Sequence, residues 1–221
     1  VLPEEKLPLR TSLGIPEDAF VVLTVADNQE RKNLSAGIEI FSKFMKENPD
    51  SNGYYLIVTR ENSHVGWKLR DLAQQFGVAD RVLIFERGMN HKQLWSIYAL
   101  SDVFLLPSKA EGLGMPLLEA MAVGIPSMAT DCTGMMELLS DSRGILIPPA
   151  YTYIDPFGNG NRYFIDMDRA VELMVHAYNA KGNPNNTWIR DIITNAREFV
   201  EKRTWDNSVS ILNDGIKEIL K

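Results

Sequence analysis

The stretch Val103-Phe104-Leu105-Leu106-Pro107-Ser108-Lys109-Ala110-Glu111-Gly112-Leu113-Gly114-Met115-Pro116-Leu117-Leu118-Glu119-Ala120-Met121-Ala122-Val123-Gly124 decides how the chain is read. Its apolar start, ending at Pro107-Ser108, predicts a buried parallel strand. Leu117 to Val123 predicts a helix stopped by Gly124, with Pro116 at its first position. Between them lies a loop with two glycines. A strand, a glycine loop and a helix N-terminus make an anion site, because unpaired N–H groups and the helix dipole point at one spot. Glu111 and Glu119 bracket that spot, no more than about 12 Å apart if the segment were helical. Carboxylates accept hydrogen bonds from hydroxyls, so the pattern suits a ligand with hydroxyls at both ends and phosphate between them. A nucleoside diphosphate sugar is such a ligand. A plainer reading stays open, in which the glycines serve a tight turn and the two glutamates are surface charges or partners of nearby cations.

Upstream, Phe20 to Ala26 is apolar enough for a strand buried on both faces. The polar loop Asp27 to Asn33 precedes a helix over Leu34 to Lys46, with Leu34, Ile38, Phe41 and Met45 on one face. Arg31 and Lys32 stand at that helix's N-terminus, where cations oppose the dipole unless an anion joins them. Strands are also expected at Tyr54 to Thr59, Arg81 to Phe85, Asp102 to Leu106, Ile125 to Ala129 and Gly144 to Ile147. Helices are expected around Leu9 to Leu13, Trp67 to Phe76, His91 to Leu100 and, with Thr133 as N-cap, through Glu137 to Leu139. This alternation predicts an α/β fold with a doubly wound parallel sheet, Rossmann-like, whose ligand lies beyond the carboxyl ends of the strands. Residues 150 to 162 lack periodicity and read as a surface loop. Three helices follow, over Asp168 to Ala180, Thr187 to Lys202 and Asn207 to Leu220, with a break at Asn183-Pro184-Asn185 and Trp205 between the last two.

The 221 residues carry a net charge of -6, which argues against a nucleic-acid surface. One cysteine, Cys132, excludes an intrachain disulfide and a cysteine-based metal site. No run of the sequence has the length of a membrane span. His64, His91 and His176 fall in separate elements and form no site. Met115, Met121, Met128, Met135 and Met136 are expected to pack in the core. The chain is expected to be a single domain over 1–221, with 1–8 a linker remnant from a longer protein.

With these residues placed, the chain resembles the C-terminal, donor-binding half of a GT-B fold glycosyltransferase of the large retaining family 4. The likeness rests on four segments. They are the E-x7-E motif from Glu111 to Glu119, the loop Ala26 to Asn33, the strand Ala99 to Ser108, and Gly124-Ile125-Pro126 with Thr133 to Glu137. It covers residues 9 to 215. The resemblance implies hexosyl transfer from a nucleotide sugar, UDP-, GDP- or ADP-linked, with retention of configuration and no metal or other cofactor. Glu111 would contact the sugar and Glu119 the ribose. Gly112, Leu113, Gly114, Met115 and Leu118 would line the donor, with amides of 113 to 115 on the sugar and distal phosphate. Lys32 matches one of the family's two diphosphate cations. The other, an arginine, is replaced by Asp27, so Arg31 is the expected substitute, giving Glu111, Lys32 and Arg31 as the catalytic set. The base would lie along Arg87 and Gly88, with Thr59 near the same edge.

The resemblance further implies an acceptor glycan, lipid or protein held by an absent N-terminal half, towards which helix 204–221 would return. The fragment alone would then be inactive. A cytoplasmic location is expected, with peripheral membrane contact through the missing half. Two other classes fit the architecture: a non-catalytic nucleotide-binding or interaction module, and a nucleotide-sugar epimerase.

Overall fold

The computed structural model describes residues 3–156, 158, 160–181, 183 and 185–220. Six parallel strands form the sheet: β1 (Val21–Val25), β2 (Tyr54–Thr59), β3 (Val82–Glu86), β4 (Val103–Leu106), β5 (Ser127–Thr130) and β6 (Ile145–Ile147). Their order is β3-β2-β1-β4-β5-β6, so the winding direction reverses between β1 and β4. All six correspond to expected strands, β2 matching at both ends and the others within two residues.

The crossovers are helical. Helix α1 (Pro3–Ser12) precedes β1, and α2 (Leu34–Glu47) and α3 (Leu69–Gln75) return the chain to β2 and β3. Helices α4 (His91–Leu100), α5 (Met115–Val123) and α6 (Thr133–Leu139) connect β3 through to β6. Then come α7 (Met167–Ala180), α8 (Thr187–Glu201) and α9 (Trp205–Ile219). Helix α2 packs with α3 and α7, while α4 touches α1 and α5, and α5 in turn meets α6 and α8. The central strands are buried throughout, including Leu23, Leu56, Phe104 and Leu105. Burial on both faces explains why these segments are continuous apolar runs rather than alternating ones.

Several expectations are corrected. Helix α1 starts at Pro3, inside the stretch expected to be linker, because Lys6 and Arg10 anchor it to the sheet. Val1 and Leu2 lie outside the described residues. Residues 150 to 162 are not a plain loop. β7 (Pro149–Ile154) and β8 (Asn161–Ile165) pair as an antiparallel hairpin, with Tyr151 stacked on Phe164 at 4.6 Å and Arg162 paired to Asp155 at 2.6 Å. Cross-strand pairs stabilise a hairpin whose sequence shows little alternation. Trp205 does not separate two helices but opens α9, and Thr204 Oγ1 caps it by accepting from Asn207 N. Thr133 is the first residue of α6 rather than its cap. Of the break at 183 to 185, Pro184 falls outside the described residues.

Asp102 fixes the amino ends of the two central strands. Its Oδ2 accepts from Val21 N at 2.9 Å, and its own N–H donates to Val21 O at 2.8 Å. Lys6, Arg10 and Lys181 all pair with its carboxylate, at 2.7, 2.7 and 3.0 Å. Burial opposes ionisation of Asp102, yet Lys6, Lys181 and Arg10 outweigh it and hold the carboxyl below its usual range. The sign follows: stability from this group is full above the ordinary aspartate range and is lost as pH falls through the depressed value. Asp102→Ala should cost about 3–5 kcal/mol in urea unfolding at pH 7. The difference between variant and unaltered chain should shrink in acid; a gap independent of pH would contradict this role.

Candidate functional site

β1 and β4, where the winding reverses, pair through Val22–Val103 and Leu23–Phe104, and past that register Thr24 Oγ1 donates to Leu105 O. Such a reversal point opens a crevice at the carboxyl edge. Two loops fill its mouth. After β1, Glu30–Lys32 form a 3-10 turn, and Asn33 turns into α2 with φ 54°. After β4, Pro107 to Gly114 leads into α5. The loops are tied together by Lys109 N–H donating to Arg31 O at 2.8 Å and by the Arg31 guanidinium donating to Ala110 O.

Glu111 closes the gap. Its Oε1 accepts from Lys32 Nζ at 2.6 Å and from Ser108 Oγ at 2.7 Å, and its Oε2 pairs with Arg31 at 2.9 Å. The Glu111 side chain is 6% exposed. Burial works against its charge, but Lys32, Ser108 and Arg31 prevail and keep the carboxyl below the usual range. Arg31 and Lys32 at the start of α2 oppose its dipole unless an anion joins them; Glu111 is such an anion in the free chain. Burial of a paired charge makes this contact sensitive to removal of either partner.

Glu119 sits one turn into α5 and accepts a hydrogen bond from the buried Tyr98 hydroxyl at 2.7 Å. Glu119 also lines a cavity of about 320 Å3 whose walls include Asp27, Lys32, Arg87, Gly88 and Pro116. Helix α5 starts at Met115, so Pro116 is its second residue, one later than expected. Gly114 adopts φ 75°, a left-handed turn that glycine makes without Cβ strain. Among the described residues, the N–H groups of Leu113, Gly114 and Met115 have no acceptor.

The expected residues therefore divide. Lys32, Arg87, Gly88 and Glu119 share one cavity, and Arg31 and Glu111 join it through Lys32. Gly112, Leu113, Gly114 and Met115 form the adjoining loop, with Leu113 and Met115 exposed. Leu118 packs on the core instead of lining the cavity, and Thr59 is fully buried, its carbonyl accepting from Arg87 N. The methionines also split: Met121, Met128 and Met135 are core residues, whereas Met115 and Met136 are more than half exposed.

Several positioning residues escaped the sequence. Tyr98 and Ser108 orient the two glutamates. Thr133 Oγ1 accepts from Glu111 N at 2.9 Å, and Gly134 N donates to Glu111 O. A Cβ on Gly134 would lie 2.1 Å from Gly112 O, so the α6 start can approach the loop only with glycine there. The hairpin braces the same loop, through Tyr163 N on Lys109 O and Lys109 Nζ over the Phe164 ring. Glycine after a strand and a short threonine-led helix were visible signals, but neither says which loop it touches.

Other features are less suited to ligand chemistry. A larger groove, about 640 Å3, lies at the opposite edge around Asp102, whose carboxylate is already neutralised. Cys132 is buried, and burial pushes its thiol up to about 11, so it is protonated at neutral pH. By contrast, buried side-chain oxygens without a hydrogen bond recur where strands end: Asp27 after β1, Thr59 in β2, Thr130 and Asp131 at β5. Unsatisfied buried acceptors are rare in native proteins.

Residues 5–155 match the family model described as "Glycosyl transferases group 1". The chain belongs to that glycosyltransferase family. It is 31% identical over 208 residues to the glycosyltransferase MJ1607 of Methanocaldococcus jannaschii, covering 92% of this chain and 46% of that protein. The chain thus spans about half the length of this curated relative. Among solved structures, a glycosyltransferase from Rickettsia africae superposes with TM-score 0.78 at 18% identity, covering all of this chain and 53% of the other. Anabaena HepE, solved in complex with UDP-glucose, gives TM-score 0.71 at 21% identity with the same coverage. The fold is accordingly that of the Rossmann-like half of GT-B glycosyltransferases.

Within this glycosyltransferase fold, Gly134 sets how closely α6 holds the Glu111 loop. Gly134→Ala should displace Gly112 and Glu111 and destabilise the chain by about 1–3 kcal/mol. Thermal unfolding measures it; an unchanged midpoint would contradict the close packing.

Proposed function

We propose that this chain binds the donor, a nucleoside diphosphate sugar, for a retaining, metal-independent hexosyl transfer. The observation that carries the reading is the 2.6 Å contact of Lys32 with Glu111 beside a cavity that Lys32 shares with Glu119. One cluster therefore holds a hydroxyl acceptor for the sugar, cations for the pyrophosphate and a hydroxyl acceptor for the ribose. The base would run along Arg87 and Gly88. Lys32 and the free amides of Leu113 to Met115 would stabilise the charge growing on the departing diphosphate. Preorganised donors of this kind need no metal to do so.

In the free chain Glu111 occupies both cations. When phosphate takes Lys32, the Glu111 carboxylate is released to accept from sugar hydroxyls, which links phosphate binding to sugar recognition. Retention would arise from same-face attack assisted by the leaving phosphate. The acceptor and the remaining catalytic groups would come from a second half, consistent with the fraction of its relative that the chain spans. Helix α9 supports this arrangement: Val209, Leu212 and Ile216 are exposed along one face, an apolar stripe without a partner among the described residues. We place the protein in the cytoplasm, with membrane contact only through that other half; no described helix is long and apolar enough to cross a membrane.

Calorimetric titration with UDP-, GDP- and ADP-linked sugars should show binding of one base class, and the chain alone should transfer no sugar. Glu119→Ala should weaken that binding. Tyr98→Phe should reduce the preference for ribose over 2′-deoxyribose by about fivefold, the worth of one hydrogen bond. Failure to bind any nucleotide would leave an interaction module as the better reading.

A further inference from the structure

We propose that Arg87, steered by Asp27, is the second cation on the donor's diphosphate. This rests on the donor-binding reading above and assigns a role that sequence reasoning gave to Arg31. Arg31 is committed elsewhere: its guanidinium donates to Ala110 O and pairs with Glu111, and it does not line the cavity. Lys32 lines the cavity but is shared with Glu111. The remaining charged walls would otherwise be Asp27 and Glu119, both repulsive to a phosphate.

Arg87 changes that balance. Its backbone N–H is fixed on Thr59 O at 3.0 Å, which sets its Cα at the carboxyl edge of the sheet. Its Nη1 lies 3.1 Å from Asp27 Oδ1, and Arg60 Nε lies 3.7 Å from the same oxygen. Two guanidiniums thus converge on one carboxylate, leaving a positive surplus beside Lys32. Asp27 Oδ2 accepts from Gln29, whereas the buried Oδ1 accepts no directed hydrogen bond. The Asp27–Arg87 contact is an ion pair through Nη1 alone, which orients the guanidinium and leaves Nε and Nη2 without an acceptor among the described residues. Arg87 is about half exposed, so its fork of N–H groups is open to a bidentate phosphate contact. Asp27, at the position where the resemblance calls for an arginine, becomes the residue that recruits one from the loop after β3. Asp27 is a positioning residue, and Arg87 is the group that touches the ligand.

The test compares nucleoside diphosphate with monophosphate on the 221-residue chain by calorimetry, using UDP/UMP, GDP/GMP and ADP/AMP and keeping the base that binds. The unaltered chain should prefer the diphosphate. Arg87→Ala should lower diphosphate affinity about 10- to 100-fold and collapse that preference, with Arg87→Lys intermediate. Arg31→Ala should weaken both nucleotides alike. Asp27→Asn should weaken the diphosphate while Arg87 is present and have no further effect in the Arg87→Ala background, which a merely structural role would not produce. A preserved diphosphate preference in Arg87→Ala, or its collapse in Arg31→Ala, overturns the proposal and leaves the donor-binding reading intact. No binding of any nucleotide by the unaltered chain overturns both.

Discussion

A buried carboxylate between two cations governs the mouth of this crevice. β1 and β4 share two residue pairs, and beyond the strands side chains join the loops that follow them. Glu111 reaches from the β4 loop to Lys32 and Arg31 on the β1 loop, with Ser108 completing its shell. Loop position, the start of α2 and the approach of α6 all follow from where that carboxylate sits. In a water-poor site its attraction to Lys32 exceeds anything an exposed pair offers.

The same two strands are joined ionically at their other ends, and the contrast is informative. Asp102 meets three cations and the Val21 amide, an arrangement with every partner supplied by the chain itself. At the carboxyl edge, cations and carboxylates are more evenly matched, and among the described residues the amides of Leu113 to Met115 have no acceptor while Thr59, Thr130 and Asp131 carry buried oxygens without a hydrogen bond. One end of the strand pair is saturated and structural. The other is incomplete in a way that an anion with flanking hydroxyls would complete. In the proposed donor complex the phosphate would take Glu111's place at Lys32, so recognition would be an exchange of partners at that lysine.

The sheet was legible because buried parallel strands are apolar runs punctuated by glycine and proline, as in Val103 to Pro107. The two glutamates stood out because they bracket a glycine loop before a helix, and Lys32 because a cation at the start of α2 opposes the helix dipole. The Lys32–Glu111 bond itself was not, since it joins residues 79 apart and depends on strand order, which no local pattern encodes. Nothing in the sequence of α4 singles out Tyr98; only its hydroxyl, donating to Glu119, marks it out. The hairpin after Pro149 was missed because its strands are mostly exposed and their stabilisation lies in cross-strand pairs such as Tyr151 with Phe164. Arg87 was read as a neighbour of the base, because nothing local relates it to Asp27, the first residue of the polar loop after β1.

Glu111 as the free chain's own counterion for Lys32 and Arg31 can be examined at a single atom. A 13C NMR titration of the Glu111 side-chain carboxyl, assigned with Glu111→Gln, should place its pKa below the ordinary glutamate range and show it rising towards that range when a nucleoside diphosphate is added. A value at or above the ordinary range in the free chain, unmoved by the nucleotide, would contradict the exchange of partners on which donor recognition is here built.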